Sequence, residues 1–411
     1  MSRWRFWWRV ITRTLWFRVS VYAGLGIVAA LAAVVLAPLV PDEMAERIGG
    51  YDTVEGLLRI LASSLLAVAT FSIGAMVSSY TAVSSSVTPR VAAIVTDDPQ
   101  TQNALATFVG GFLFSIVALV AVEASYYGAE GRAIIYLATL VMIGLVALAL
   151  VTWIGHLGRL ARLSYMVDRV ESLSKDAFEA RITSPWLGGR RWEGGAPPAG
   201  AEIRARRAGH VLNVDVASLE AAAAEAGGEV VVLCTPGRFV AKNDLLAVAT
   251  GRVEAIEPFA AAFTVSPNRS FDQDPRYGLA VLGEIAARAL SPAVNDPATA
   301  ASTVGAGLRL LQAWADRELP DHARCARVLA PGLDPQGLID DVFGPASRYG
   351  ASDPVLAEPL LRALTVLADS PDRDLAQAAS VLADETLARV LQSSMEPRWK
   401  TVCEACLDTA R

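Results

Sequence analysis

Four long apolar runs dominate the first part of this 411-residue chain. They cover about residues 19–40, 57–83, 105–126 and 133–156. Each reaches the roughly 20 residues that a helix needs to cross the hydrocarbon core of a membrane. Because lipid offers no hydrogen bonds to the backbone, helices are the structure that such runs can form there. The runs predict a four-helix transmembrane domain over residues 19–158.

Arginines lie on one side of the predicted spans. The segment before the first span is basic and contains Arg3, Arg5, Arg9, Arg13 and Arg18. The loop after this span is acidic and contains Asp42, Glu43, Glu46, Asp52 and Glu55. Basic residues follow the fourth span, namely Arg159, Arg162 and Arg169. The positive-inside rule therefore predicts that both termini are cytoplasmic in a multi-pass protein of the bacterial inner membrane. Residues 1–18 also interleave tryptophan with arginine, which predicts an amphipathic segment in contact with membrane lipids.

Beyond the spans the composition is that of a soluble domain. Apolar positions at helical spacing from Leu160 to Leu173 predict that the fourth helix continues as a neck, which with a Pro- and Gly-rich linker covers residues 159–200. Short β-type runs predict a small β-rich subdomain over 201–257, and helical patterns, including 322–329, predict a helical subdomain over 258–411. The expected fold is a mainly α membrane protein: four transmembrane helices followed by a cytoplasmic α+β/helical domain.

The second span carries a stripe of small and hydroxyl residues at helical spacing. These are Ser63, Thr70, Gly74, Ser78, Thr81 and Ser85. In lipid, packing one Leu against another gains no free energy from the hydrophobic effect. A stripe of small and hydroxyl residues therefore marks a face that meets protein or water. If the stripe lines a pore, Arg90 would add a cationic ring at the inner mouth; otherwise Arg90 is an anchor of the positive-inside kind.

Two ionisable groups near span ends have two interpretations each. Glu123, in the third span near its external end, is either an intramembrane functional carboxylate or a group that reaches water. His156, at the cytoplasmic end of the fourth span, either titrates near neutral pH or is a solvated or interfacial residue of a helix end. Arg59, at the external end of the second span, is expected to extend toward the lipid headgroups.

Residues 269–300 read RSFDQDPRYGLAVLGEIAARALSPAVNDPATA. From the residues alone, Asp274 and Asp296 are expected to be helix N-caps that precede a proline at the first helical position. Alternatively, Arg288, Ser291, Asn295 and Asp296 form a polar elbow that binds an ion or an anionic ligand. A helix from 275 to 290 is about 24 Å long, so Asp274 cannot join that elbow in one protomer.

The same stretch, together with four N-terminal spans, resembles the bacterial predicted membrane protein family called domain of unknown function 2254. The matching positions are Asp274-Pro275, Tyr277-Gly278, Ile285-Ala286, Arg288 to Ala293 and Asn295 to Ala300. The resemblance implies a fold and brings no activity, substrate or site residues.

Four cysteines lie in the soluble part. His322, Cys325, Cys403 and Cys406 have ligand types suited to zinc, although a single CxxC is a weak signal and small buried cysteines are the alternative. The sequence contains no P-loop, no GxSxG elbow, no HExxH and no Rossmann fingerprint. We therefore expect no enzymatic activity, no cofactor and no nucleic-acid partner.

These patterns favour a homo-oligomeric ion channel whose second span lines the pathway and whose cytoplasmic domain gates or filters it. The reason for this hypothesis is that four helices alone enclose little space and that the polar stripe needs a partner. The alternative is a non-transporting membrane sensor or scaffold whose cytoplasmic domain binds a ligand or a partner. A proton-coupled transporter that uses Glu123 is a third possibility, against which the absence of an inverted repeat argues.

Overall fold

The structure is a computed structural model that describes residues 11–12, 14–41, 50–86, 88, 90–91, 98–160, 162–318 and 323–408. The chain divides into two compact units. One contains four long apolar helices, and the other is formed mainly by the chain from Leu163 onward and contains helices and two small sheets.

The first unit consists of helices long and apolar enough to span a membrane. They are α1 (Leu15–Leu36), α2 (Tyr51–Ser86), α3 (Pro99–Glu123) and α4 (Ala129–Leu160). Each contains most of one predicted span, so the four-helix membrane domain is confirmed. The helices begin four to six residues before the predicted spans, because hydropathy detects the apolar stretch and not the polar turn that starts a helix.

Helix α3 is the centre of this unit, and small residues let its neighbours approach. A side chain at Gly26 of α1 would collide with the carbonyl oxygen of Gly110 on α3, and one at Gly110 would lie 2.8 Å from the carbonyl oxygen of Tyr22. On the adjacent side of α3, a side chain at Gly111 would meet Leu65 of α2 at 2.9 Å and Met142 of α4 at 3.2 Å. Close packing of this kind substitutes for the hydrophobic effect between helices in lipid.

The second unit opens with α5 (Leu163–Thr183). Arg162 belongs to neither α4 nor α5, so the prediction of one continuous helix from the fourth span was wrong. The apolar pattern is nevertheless that of a helix, and its buried face includes Met166, Val170 and Phe178. These side chains find their core in the second unit, where Phe178 stacks edge-on with Trp314.

Two small sheets follow α5. Their strands are β1 (Arg190–Arg191), β2 (Ala201–Arg204), β3 (Gly209–Val214), β4 (Val230–Val232), β5 (Phe239–Val240), β6 (Leu245–Ala249), β7 (Phe263–Ser266) and β8 (Val328–Ala330). One sheet has the order β1-β8-β4-β6-β2 and the other β5-β3-β7. Strand β8 pairs in parallel with both β1 and β4. The predicted β-rich segment 201–257 therefore holds only part of the sheets. The predicted helix over 322–329 was wrong for the described residues, since 324–327 form bends and turns and β8 follows them.

Most of the remaining helices begin after an aspartate that caps the helix N-terminus. They are α6 (Val216–Glu225), α7 (Glu257–Ala261), α8 (Pro275–Ala289), α9 (Pro297–Ala315), α10 (Pro335–Gly350), α11 (Pro354–Ala368), α12 (Arg373–Gln392) and α13 (Pro397–Asp408). Asp274 and Asp296 accept hydrogen bonds from the backbone N–H of Tyr277 and Thr299, which confirms both predicted N-caps. Asp98, Asp334 and Asp353 cap α3, α10 and α11 in the same way, each before a proline whose missing N–H is not needed there.

Candidate functional site

The polar stripe of α2 lies on the outside of the first unit. Ser63, Thr70, Gly74, Ser78 and Thr81 are all exposed. The side of α2 that packs against the other helices is opposite and apolar, and is formed by Val54, Leu58, Leu61, Leu65 and Ala69. The stripe is thus turned away from the three other helices of its own chain.

Three hydroxyl groups of the stripe donate hydrogen bonds within α2 itself. Ser63 donates to the carbonyl oxygen of Ile60 at 3.0 Å, and Thr70 and Thr81 donate to carbonyl oxygens one turn earlier at 2.9 Å. These three hydroxyl groups therefore need no acceptor from a partner, and the expectation that the stripe meets a partner stays a prediction. What the stripe offers is small size, with open space around Gly74, and hydroxyl oxygens that can still accept. The side chain of Ser85 lies outside the described residues, and Arg90 is exposed.

Charged groups at the other end of α2 pair with one another. The guanidinium of Arg59 lies 2.6 Å from the carboxylate of Glu55 and 3.4 Å from that of Glu123. Glu123 is the last residue of α3, and its side chain is about half exposed. Its position at a helix end, in an ion pair, is the environment of a group that reaches water.

A buried acid–histidine pair joins α3 and α4. Nε2 of His156 lies 2.7 Å from Oδ2 of Asp98, and both side chains are at most 5% exposed. The same carboxylate accepts the backbone N–H of Thr101 at 2.9 Å. His156 is therefore not a solvated helix-end residue, contrary to one of the two sequence interpretations. Asp98 is distant in sequence, and only the antiparallel packing of α3 and α4 brings the pair together.

The polar elbow is a compact corner between α8 and α9. The hydroxyl of Ser291 donates to the carbonyl oxygen of Arg288 at 2.7 Å. The carboxylate of Asp296 accepts hydrogen bonds from the backbone N–H and the hydroxyl of Thr299. These bonds keep the pKa of Asp296 below its ordinary value. Asn295 adopts a left-handed conformation with φ of 51°, which turns the chain between the helices. The groups have local structural roles, and ligand binding at the elbow stays a prediction.

The cysteines do not form a metal site in the described residues, where no cluster of three or more His, Cys, Asp or Glu has metal-binding geometry. Cys325 packs against the core of the sheets, whereas Cys403 is buried on α13. Burial raises the pKa of the Cys403 thiol to about 11, which disfavours the thiolate that zinc requires. His322 lies outside the described residues.

A cleft in the second unit brings together charged residues that the sequence analysis did not connect. It has a volume of about 490 Å³ and is lined by Arg238, Arg269, Asp274, Arg276, Asp334 and Asp341, among others. Nε of Arg269 lies 2.8 Å from Asp274, and Arg276 contacts Asp341 through Nε at 2.8 Å and Nη2 at 3.2 Å. The first half of the family-like stretch is thus in this cleft, and the second half is in the elbow.

Glycines bring the walls of this cleft close together. Gly237, with φ of 94°, lies against Asp274, and a side chain there would come within 2.5 Å of the carboxylate. A side chain at Gly278 of α8 would collide with the hydroxyl of Ser174 on α5. Arg181 is about two helical turns beyond Ser174 on the same face of α5. The α5–α8 contact therefore brings the Arg181 guanidinium near the start of α8.

Arg181 is the residue that the sequence analysis missed. Its side chain is only 4% exposed, and Nη2 donates to the carbonyl oxygen of Pro331, a residue of the cleft. Burial lowers the pKa of Arg181 to about 10, while the negative charge of Asp274 opposes that shift. The sequence does contain a signal for the burial of Arg181. This arginine falls on the apolar face of an amphipathic helix, at the position where Phe178 and Ala177 predict burial.

Four helices that are long and apolar enough to span a membrane, followed by a second compact unit of helices and two sheets, define a multi-pass membrane protein. Residues 12–366 match the model of the predicted membrane protein family DUF2254, and the chain belongs to this family. An uncharacterized protein of Mycobacterium bovis is 26% identical over 237 residues, which are 54% of this chain and 46% of the relative. An uncharacterized protein of Mycobacterium tuberculosis matches to the same extent. The chain spans about half the length of these curated relatives, and no solved structure matches it.

Proposed function

We propose that the protein is a homo-oligomeric channel of the bacterial inner membrane in which copies of α2 surround an ion pathway. Both termini and the soluble unit are cytoplasmic in this proposal, and the soluble unit gates or filters the pathway. The observation that carries the proposal is the exposed stripe of α2, opposite the face that packs on the other helices. One protomer encloses no path along this stripe, whereas a ring of protomers would.

The chemistry of the stripe supports passage of a cation. Ser63, Thr70 and Thr81 give their protons to backbone carbonyls, so their oxygen lone pairs remain as acceptors. Hydroxyl oxygens can replace part of the hydration shell of an ion without the cost of a buried charge. Large apolar side chains flank the stripe, as Leu66 and Val77 show with exposures of 53% and 56%. These flanks suit contact with lipid or with a neighbouring protomer.

The test is ion flux through the purified chain in liposomes, with Thr70→Trp as the blocking variant. Ile73→Trp is the matched control, because Ile73 is 50% exposed on the same helix but lies to the side of the stripe. We expect flux in the unmodified chain and in Ile73→Trp, and a block in Thr70→Trp with the oligomer intact by light scattering. Absence of flux in the unmodified chain, a monomer, or equal flux in both tryptophan variants contradicts the proposal.

The second candidate is a membrane sensor or scaffold in which α2 stripes pack closely without water between them. It is favoured by the internal hydrogen bonds of the stripe, which make a dry contact inexpensive. Labelling of Thr70→Cys by a membrane-impermeant thiol reagent separates the two candidates, with the unmodified chain as the baseline for its own cysteines. Reaction indicates a water-filled pathway, and protection together with absent flux indicates close packing.

A further inference from the structure

Two neighbouring loops of the second unit form a basic surface that also exposes an aromatic side chain. Residues 204–210 read RARRAGH and residues 238–244 read RFVAKND, so the two segments contain five arginine and lysine residues and one acidic residue. The whole chain has a net charge of −6, so this surface has the opposite sign to the protein that carries it. We call the side chains of Arg206, Arg207, Phe239 and Lys242 the basic tip.

Hydrogen bonds hold the two loops side by side. Strands β3 and β5, which adjoin them, pair in an antiparallel way. The backbone N–H of Ala205 donates to the carbonyl oxygen of Asp244 at 2.8 Å, and the N–H of Asn243 donates to the carbonyl oxygen of Ala205 at 2.8 Å. Nη1 of Arg204 also reaches the carbonyl oxygen of Asn243, at 2.7 Å. The two basic segments therefore form one surface.

The carboxylates next to the basic tip are bound within the loops themselves. Glu202 accepts a hydrogen bond from Nε of Arg204 at 2.8 Å, and this pair belongs to strand β2. Asp244 accepts a backbone N–H of its own loop at 2.8 Å. Both acidic groups thus have a local partner, and neither pairs with a cation of the basic tip.

The cations of the basic tip remain available to an external anion. Arg206 and Lys242 are exposed, and in the part of the chain that the structure describes their side chains form no ion pair within 4.0 Å and no hydrogen bond. Arg207 is exposed and donates from Nη2 to the carbonyl oxygen of Val265, a neutral group that leaves its charge uncompensated.

Phe239 adds apolar surface to these charges. Its side chain is 60% exposed, whereas the next residue of β5, Val240, is 1% exposed. Because side chains alternate along a strand, Phe239 lies on the face of β5 opposite to the core. Its ring stacks edge-on with His210 at a centroid distance of 5.2 Å, which positions the ring and leaves it open. An exposed aromatic ring among unpaired cations is typical of surfaces that enter the interface of a bilayer.

We infer that the basic tip docks on a bilayer that contains anionic phospholipid, with Phe239 in the headgroup region and the three cations against phosphate groups. Each lysine or arginine near such a surface strengthens the association about fivefold. The chain has four helices long and apolar enough to span a membrane, so covalent connection keeps the second unit at a high effective concentration near lipid. Nucleic acid is the other polyanion that could engage both cations and an aromatic ring, and it lacks this advantage of proximity. The inference goes beyond the proposed channel and does not use its ion pathway.

The experiment uses the full chain in nanodiscs of phosphatidylcholine with and without phosphatidylglycerol. A bimane fluorophore on Phe239→Cys replaces the phenyl ring with another apolar group, and nitroxide on the lipid headgroups quenches it on contact. We expect stronger quenching with phosphatidylglycerol, and a loss of this increment as salt is raised, because salt screens the attraction. The unmodified chain treated with the same reagent gives the background from its own cysteines.

Val355→Cys is the control for the position of the label. Val355 is 53% exposed in the first turn of α11, next to the acidic cap Asp353. Its label should be quenched to the same extent in both lipid mixtures. Equal increments at positions 239 and 355 would show that the quenching is unspecific, and would overturn the inference.

Charge variants in the chain labelled at position 239 test the cations. Arg206→Gln combined with Lys242→Gln should lower the ratio of docked to undocked protein roughly tenfold or more, so that quenching falls toward the level in phosphatidylcholine alone. Arg252→Gln combined with Arg398→Gln is the matched control, since it also removes two positive charges, from side chains that are 90% and 73% exposed in the same unit. This control should leave the quenching unchanged.

Three further results would overturn the inference. The first is equal quenching at position 239 in the two lipid mixtures, and the second is an equal effect of the two double variants. The third is a change in the emission of the label when single-stranded RNA is added to phosphatidylcholine discs, with no effect of phosphatidylglycerol. That result would assign the basic tip to nucleic acid.

Discussion

Substitution of Gly278 by alanine tests the contact that brings α5 to the charged cleft. The new Cβ atom would overlap the Ser174 hydroxyl oxygen and lie 2.6 Å from the Ser174 Cβ atom. Carbon atoms in contact are normally ~3.5–4.0 Å apart, so α5 and α8 would have to separate by about 1 Å. Ser174 is fully buried, which leaves the clash no way to relax toward solvent.

The expected cost follows from two opposing effects. Overpacking of a core costs ~1–3 kcal/mol, whereas replacing glycine by alanine inside a helix gains about 1 kcal/mol. The net destabilisation is up to about 2 kcal/mol, which for a unit of this size lowers the midpoint of thermal unfolding by up to roughly 8 °C. The assay is the unfolding of the detergent-solubilised chain followed by tryptophan fluorescence.

Gly305→Ala is the matched control, because Gly305 is inside α9 and a side chain there would meet only Arg309 Nη1 at an ordinary 3.5 Å. It should stabilise by up to about 1 kcal/mol through helix propensity alone. Combining Gly278→Ala with Ser174→Gly should recover part of the loss, since the nearest remaining atom is Ser174 Cα at 3.4 Å. A midpoint for Gly278→Ala equal to that of Gly305→Ala would refute the packing argument.

Two further predictions concern aspartates that cap helices. Asp98→Ala should destabilise the first unit by about 1–3 kcal/mol, because it removes the partner of buried His156 as well as the cap of α3. Asp98→Asn, which can still cap, should cost less, and equal unfolding midpoints of the two variants would contradict this. Asp296→Ala should lose about 1 kcal/mol near neutral pH, because the cap of α9 is lost. The pKa of folded Asp296 is lowered, so its contribution is present above the unfolded pKa of about 3.9 and disappears as pH falls below it. The difference in unfolding midpoint from the unmodified chain should therefore shrink on acidification, and a constant difference would argue against it.

The sequence predicts the membrane unit well because its determinants are local. Hydropathy over about 20 residues locates each of the four helices, and the spacing of Ser63, Thr70 and Thr81 identifies one face of α2. Which way that face points is not local information. It depends on the packing of Leu58 and Leu65 against α3, and only the structure shows that the stripe is outward.

The charged cleft could be predicted only in fragments. Asp274 before Pro275 is recognisable as a helix start, and the structure confirms it. Arg181 is separated from this position by most of the sheet-forming segment, so no pattern of spacing connects the two. The two residues come near each other because α5 and α8 approach closely at Gly278, and such an approach is set by the tertiary structure. For the same reason the pairing of Asp98 with His156 was not foreseen.

The position of strand β8 constrains how this protein can be divided or exchanged with its relatives. Residues 328–330 form an inner strand of a sheet whose other members end at residue 249, and helices α8 and α9 belong to the segment between them. A truncation that ends near residue 257, at the boundary suggested by composition, would remove an inner strand and leave β4 with an open edge. Such edges are prone to pair with other chains and aggregate. Gene fragments and chimaeras of this family should therefore carry the soluble unit from Leu163 onward as a single cassette.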